Sequence, residues 1–193
     1  MHSDLLKVLA AAGGVINRAL LPRFRGQISW AVKTGEIVRV LPAIYARCGE
    51  AESLSVRVRA VMQADPDAVI VGRAAAVLHG LLHERECRAI EVASERLHTR
   101  GWLRVTRRRI PVELISTDDG VRVSSAALTV VDLIPVVGSA IVDTGLRCRI
   151  RLEDMKTALG AIPWRSGNRE RAKVLARSAS RPWSPAERVA HEA

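Results

Sequence analysis

The chain has 193 residues, 48 % of them hydrophobic, with 30 Lys and Arg against 20 Asp and Glu and a formal charge of +10. This composition supports a buried core, excludes wholesale disorder, and suits one ordinary domain or two small ones. No apolar run approaches the roughly 20 residues of a membrane span, and the scattered Cys48, Cys87 and Cys148 exclude a disulfide scaffold.

In chain order, Ser3 can cap a first helix with Leu5, Leu6, Val8 and Leu9 as its apolar positions, ending at Gly13-Gly14. Asn17 can cap a short second helix through Arg18–Leu21, broken by Pro22 and Gly26. A third helix is predicted from Gln27 to Thr34, burying Ile28, Ala31 and Val32 and stopping at Gly35. The β-branched run Glu36–Leu41 reads as a strand, Pro42-Ala43 as a turn and Ile44–Ala46 as the return strand. Three small helices followed by a hairpin is the winged helix-turn-helix order.

After Cys48-Gly49 the pattern changes. A helix over 51–64 ends at Asp65-Pro66-Asp67, Val69–Val71 is a strand, and Arg73–Leu81 is a small-residue helix. Ile90–Val92, Leu103–Val105, Val112–Ile115 and Val121–Val123 read as strands. Ser124 or Ser125 caps a helix through Ile134, which Pro135 ends unless it starts the next. Helices follow over Val136–Arg147, Leu152–Leu159 and Gly167–Ala179, and Ser184-Pro185-Ala186-Glu187 opens a last one with Pro at its first position. The predicted class is α+β: a winged helix-turn-helix over residues 1–47, a small mixed α+β domain over 50–162 and a basic helical tail over 163–193.

The charge is uneven. The net is +4 over residues 1–50, −1 over 51–93, +3 over 94–123, zero over 124–163 and +4 over 164–193. A basic end is the electrostatic footprint of a nucleic-acid-binding module. Arginine supplies 26 of the 30 cations, which a GC-rich coding bias would also produce. The six aromatic residues argue against a surface that stacks exposed bases.

In a helix-turn-helix the second helix of the motif enters the major groove. Here its outward positions are predicted to be Gln27, Ser29, Trp30 and Lys33. Gln can bond an adenine edge twice; Ser29 reaches a base or a phosphate; Lys33, with Arg23 and Arg25 in the preceding turn, suits phosphates. Arg39 is the candidate wing residue. Trp30 either joins this surface or packs against the first helix of its own module or against the next domain. Double-stranded DNA is the partner these residues suit.

Other chemistry is weakly signalled. His79, His83 and Cys87 have i, i+4, i+8 spacing, but the helix should end near Gly80 and no fourth zinc ligand is evident. Asp132 and Asp143 stand in an apolar stretch and read as capping or Arg-paired acids. Arg107-Arg108-Arg109 is a solvated turn, or one that holds phosphates or a toxin's acidic face. There is no Gly-rich phosphate loop and no nucleophile with a matched base. The sequence therefore predicts no catalytic residues, no cofactor and no metal.

The N-terminal motifs Gly13-Gly14, Ile28, Gly35-Glu36, Val38-Arg39-Val40 and Ile44-Tyr45-Ala46 resemble the winged helix of the AbiEi-type antitoxins of type IV toxin–antitoxin systems. Val69–Leu81, with its Arg-x-Ala-Ala start, Val121–Ile134 and the Val142-Asp143 to Leu146-Arg147 segment are similar to that family's second domain. The resemblance spans nearly the whole chain. It departs from the family where Arg23-Phe24-Arg25-Gly26 replaces the frequent Ser or Thr cap and where the wing is less basic. It implies a cytoplasmic, non-enzymatic repressor that autoregulates its operon and antagonises a nucleotidyltransferase-like toxin, with direct contact not implied. Ser184–Glu187 resembles the opening of the very-short-patch-repair (Vsr-like) endonuclease domain found in actinobacterial relatives. The alternative this implies is the DNA-targeting half of a truncated or split Vsr-like nuclease. A third reading is an interaction scaffold.

Overall fold

The computed structural model describes residues 3–179. The chain opens with α1 (Ser3–Ala11), which buries Leu5 and Leu9, one turn apart. A short strand, β1 (Val15–Asn17), follows. The expected second helix is two 3-10 turns, Arg18–Leu20 and Pro22–Phe24. Asn17 caps the first through Oδ1, which accepts from the Ala19 amide at 3.0 Å. Pro22 prevents their fusion, because it donates no hydrogen bond and disfavours helix at Leu21. Next come α2 (Arg25–Lys33), β2 (Ile37–Leu41) and β3 (Ile44–Arg47). Gly35 ends α2 with a positive φ of 74°, so that its amide reaches Val32 O at 3.1 Å and the Glu36 amide reaches Ala31 O at 2.9 Å.

The three strands form an antiparallel sheet in the order β1-β3-β2. β1 was not expected, since three residues are too few to show alternation. Leu5, Leu9, Ile16, Ile28, Ala31, Ile37 and Tyr45 close a small core beneath it.

α3 (Leu54–Ala64) starts on Ser53, whose Oγ accepts from the Val56 amide at 3.4 Å. It lies between the small sheet and a larger one. Its Val56, Val58 and Ala60 share one hydrophobic core with Val15, Leu41 and Ile44 on one side and with Ile70, Val92 and Val123 on the other. That core is continuous through the joint at residues 48–50.

The larger sheet is built from β4 (Val69–Val71), β5 (Ile90–Ala93), β6 (Leu103–Thr106), β7 (Ile115–Asp118) and β8 (Val121–Ser124), with α4 (Gly72–Leu78) following β4. Its order is β6-β5-β4-β8-β7. β4 runs parallel to β8, β5 runs parallel to β6, and the other pairs are antiparallel. The connection from β6 to β7 must therefore pass from one edge to the other. It does so over the face of Val69, Val71 and Ala93, where Ile110 packs. The strand expected over Val112–Ile115 is corrected to a 3-10 turn at Val112–Leu114 leading into β7. Pro111 O accepts from the Leu114 amide at 2.9 Å, and Leu114 turns inward against Leu128 and Ile162.

Four helices complete the chain: α5 (Ala126–Val137), α6 (Ala140–Arg147), α7 (Leu152–Gly160) and α8 (Asn168–Ala179). Ser125 is the cap of α5, accepting from the Leu128 amide. Pro135 neither ends α5 nor starts α6; it lies inside α5, and α6 begins only after Gly138. A proline there cannot donate to the carbonyl four residues back. That carbonyl is Val131 O, and the Nε–H of Arg171 on α8 donates to it at 3.1 Å. α8 is thus packed onto α5, with Leu175 in the same core as Val130 and Ile134. The α+β class stands: eight α-helices and two sheets among the described residues. The helix start at Ser184–Glu187 lies outside the described residues.

Candidate nucleic-acid interface

At about 100° per residue, α2 has two sides. Ile28 and Ala31 are fully buried and mark the inner one. Arg25, Gly26, Ser29, Trp30, Val32 and Lys33 are all exposed, and fill an arc of about 160° on the opposite side. Trp30 is 49 % exposed on this outer side. Val32 corrects the sequence reading: it was expected inside, yet it is 40 % exposed. It lies one residue past Ala31, on the rim of the inner stripe.

Gln27 is the second correction. It sits at the other rim and is half-buried, with Oε1 turned inside and no hydrogen-bond partner. It is not a freely outward side chain. Arg23 is exposed in the turn before α2, and Arg39 is exposed on β2 opposite Tyr45. The fold thus gathers Arg25, Ser29, Trp30 and Lys33 on one helix face, with Arg23 leading into it and Arg39 on the strand that follows. Among the described residues, no carboxylate forms an ion pair with Arg23, Arg25, Lys33 or Arg39. Leu20, in the first 3-10 turn, is an apolar residue of this module that is 74 % exposed.

Several arginines beyond residue 50 are held differently. Arg59 pairs with Asp119 at 3.0 Å. Arg96 reaches Asp65 at 3.6 Å and Asp67 at 3.2 Å, and Arg122 joins Asp67 at 3.6 Å. Arg107 donates to the backbone oxygens of Ser94 at 2.6 Å and Leu97 at 2.7 Å. Arg108 and Arg165 both pair with the buried Asp132, one on each oxygen. Burial pushes the Arg108 guanidinium below its ordinary range. Burial, then the neighbouring Arg108 and Arg171, push that of Arg165 down to about 10. The basic turn at residues 107–109 is therefore anchored on both sides and is not freely solvated.

His79, His83 and Cys87 do not converge. His79 Nε2 lies 2.7 Å from Ser124 O, the His83 backbone amide donates to Glu86, and Cys87 Sγ donates to Ala89 O. Among the described residues no three His, Cys, Asp or Glu side chains come together to hold a metal ion. Glu153 and Lys156 pair with each other at 2.8 Å on the exposed side of α7.

Residues 68–146, from β4 nearly to the end of α6, match the model of the AbiEi antitoxin C-terminal domain. This segment is similar to that antitoxin domain. It supports an antitoxin role, and with it a toxin partner, in a toxin–antitoxin system. The matched stretch holds Arg108 and Asp132, whereas α2 and the hairpin precede it. No curated protein matches the chain. Among the described residues no helix is long and apolar enough to cross a membrane.

Proposed function

We propose that this chain is a non-enzymatic, DNA-binding repressor of its own operon and the antitoxin of a type IV system, acting in the cytoplasm against a nucleotidyltransferase-like toxin. The DNA half rests on one observation: the outward arc of α2 carries Arg25, Ser29, Trp30 and Lys33, and its cations have no acidic partner among the described residues. Unpaired cations on one helix face retain the field that a phosphate backbone attracts.

In this reading residues 1–47 are a winged helix-turn-helix and α2 enters the major groove. Arg23, Arg25, Lys33 and Arg39 neutralise phosphates, Ser29 reaches a base or phosphate, and Trp30 offers an apolar contact to a thymine methyl. Gln27 reads an adenine edge once its amide turns outward. The AbiEi domain supplies the antitoxin half.

Gel retardation with the DNA upstream of the chain's own gene tests the first half. If about five phosphates are neutralised, log K falls against log salt with a slope of about −4 to −5. No retardation at low salt, or unchanged retardation after Lys33→Ala and Arg39→Ala, overturns it. Co-expression with the toxin encoded alongside tests the second half, through restored growth.

A further inference from the structure

Asp132 on α5 is approached from two sides. Arg108 reaches it from the β6–β7 crossing, and Arg165 from the loop after α7. Arg171 stands beside them, 4 % exposed, fixed by Val131 O and by Ser166 O at 2.6 Å. Arg108 and Arg165 thus share one buried carboxylate, with Arg171 close by; with Arg104 and Glu91 in the surrounding wall, four guanidinia face two carboxylates, an excess of two positive charges. Burial, then Arg108 and Arg171, lower the Arg165 value.

A hollow of about 270 Å³ opens on this group, with Arg104 at its edge and Val71 and Val136 supplying apolar wall. Each guanidinium has five N–H donors. Arg108 and Arg165 hold Asp132, and among the described residues no other side chain accepts from either. Glu91 also lines the hollow. Its Oε2 is tied to the Arg73 amide at 2.7 Å, at the start of α4.

We propose that this hollow binds the phosphoryl group of a small phosphate-bearing ligand, held by Arg165, Arg108 and Arg104. Planar guanidinia match phosphate oxygens in bidentate fashion. A dianion cancels the excess of two and engages the idle donors. The volume admits a phosphate monoester and is too small for duplex DNA, so the site is separate from the α2 face. Glu91 opposes the ligand and keeps the affinity modest.

The test is calorimetric titration of the full chain, at constant ionic strength, with inorganic phosphate and with adenosine 5′-monophosphate. One saturable site per chain is expected, weakened roughly tenfold by Arg165→Gln and several-fold by Arg104→Gln. Arg104 is exposed and outside the Asp132 group, so its variant carries the test if the Arg165 variant does not fold. Glu91→Gln tightens binding, and Arg151→Gln, exposed at the start of α7 and outside the lining of the hollow, leaves it unchanged. Tighter binding of the monophosphate identifies an organic phosphate; equal binding identifies the phosphoryl group alone. No saturable binding in the millimolar range, or equal binding by wild type, Arg104→Gln and Arg165→Gln, overturns the proposal.

Discussion

The N-terminal module and the AbiEi domain are both rich in arginine and use it in opposite ways. In the AbiEi domain Arg96, Arg108 and Arg122 are tied to Asp65, Asp67 and Asp132, and Arg107 to backbone oxygens. In the module, Arg23, Arg25, Lys33 and Arg39 face water without an acidic partner among the described residues. The same residue type is structural in one region and available to a partner in the other. Net charge does not separate these uses, because an arginine in a buried pair costs folding when removed and an exposed one does not. Substitutions should therefore split: those in the AbiEi domain change stability, and those on α2 change DNA affinity.

The largest effect is expected at Asp132. Asp132→Ala leaves Arg108 and Arg165 without the buried carboxylate they share and should cost about 3–5 kcal/mol, read by urea unfolding. A loss below 1 kcal/mol would mean that the cluster is not structural and would break the contrast.

Gly72→Ala comes next. Gly72 has a positive φ of 62°, and a Cβ there collides with the Glu91 carboxylate. A cost of about 2 kcal/mol follows from the left-handed backbone together with that displacement. Glu91→Gly in the same chain should recover part of the loss.

Arg171→Met removes the donor that satisfies Val131 O and should cost about 1–2 kcal/mol, reduced by the relief of repulsion from Arg108. Pro135→Ala restores a backbone N–H to that carbonyl, so the arginine should matter less in that background. A double-mutant cycle should give a coupling of about 1 kcal/mol; additivity would refute the pairing.

On α2 the stability effects shrink and the binding effects appear. Arg25→Ala, Lys33→Ala and Arg39→Ala should each stay within about 0.5 kcal/mol in unfolding. Each should reduce the steepness of the salt dependence by about 1. Loss of stability without loss of DNA affinity would invert the comparison.

The smallest effect belongs to Arg151 and Asp154 on α7. Hydrogen bonding from Arg151 holds the Asp154 carboxyl below the usual carboxylate range. A carboxyl lowered by folding stabilises the fold above its unfolded value, and that contribution is lost as pH falls through the folded one. Arg151→Ala should return Asp154 toward the ordinary range in an NMR titration. The pair is exposed, so Tm at neutral pH should scarcely move.

Much of the fold was legible because its signals are local. Ile28 and Ala31 set the inner face of α2, Ser125 marks the start of α5, and the β-branched runs at Ile37–Leu41 and Val69–Val71 became strands. The misses also have local causes. β1 is too short to alternate, and Val112–Leu114 is an apolar run whose phase Pro111 decides. Gln27 and Val32 lie at the rims of the helix face, where a single position changes inside to outside. Asp132 read as an Arg-paired acid, yet nothing in the sequence named Arg108 and Arg165 as its partners.

The sequence by itself determined that this is a basic α+β chain with a helix carrying cations on one face. Periodicity, caps and composition settle such features, because they depend on neighbours along the chain. Only the tertiary structure decided which arginines are paired, why Pro135 is tolerated inside α5, and which cations lack an acidic partner among the described residues. Those outcomes depend on contacts between residues far apart in sequence. A guanidinium is structural or available according to whether folding brings an acceptor within about 3 Å of it.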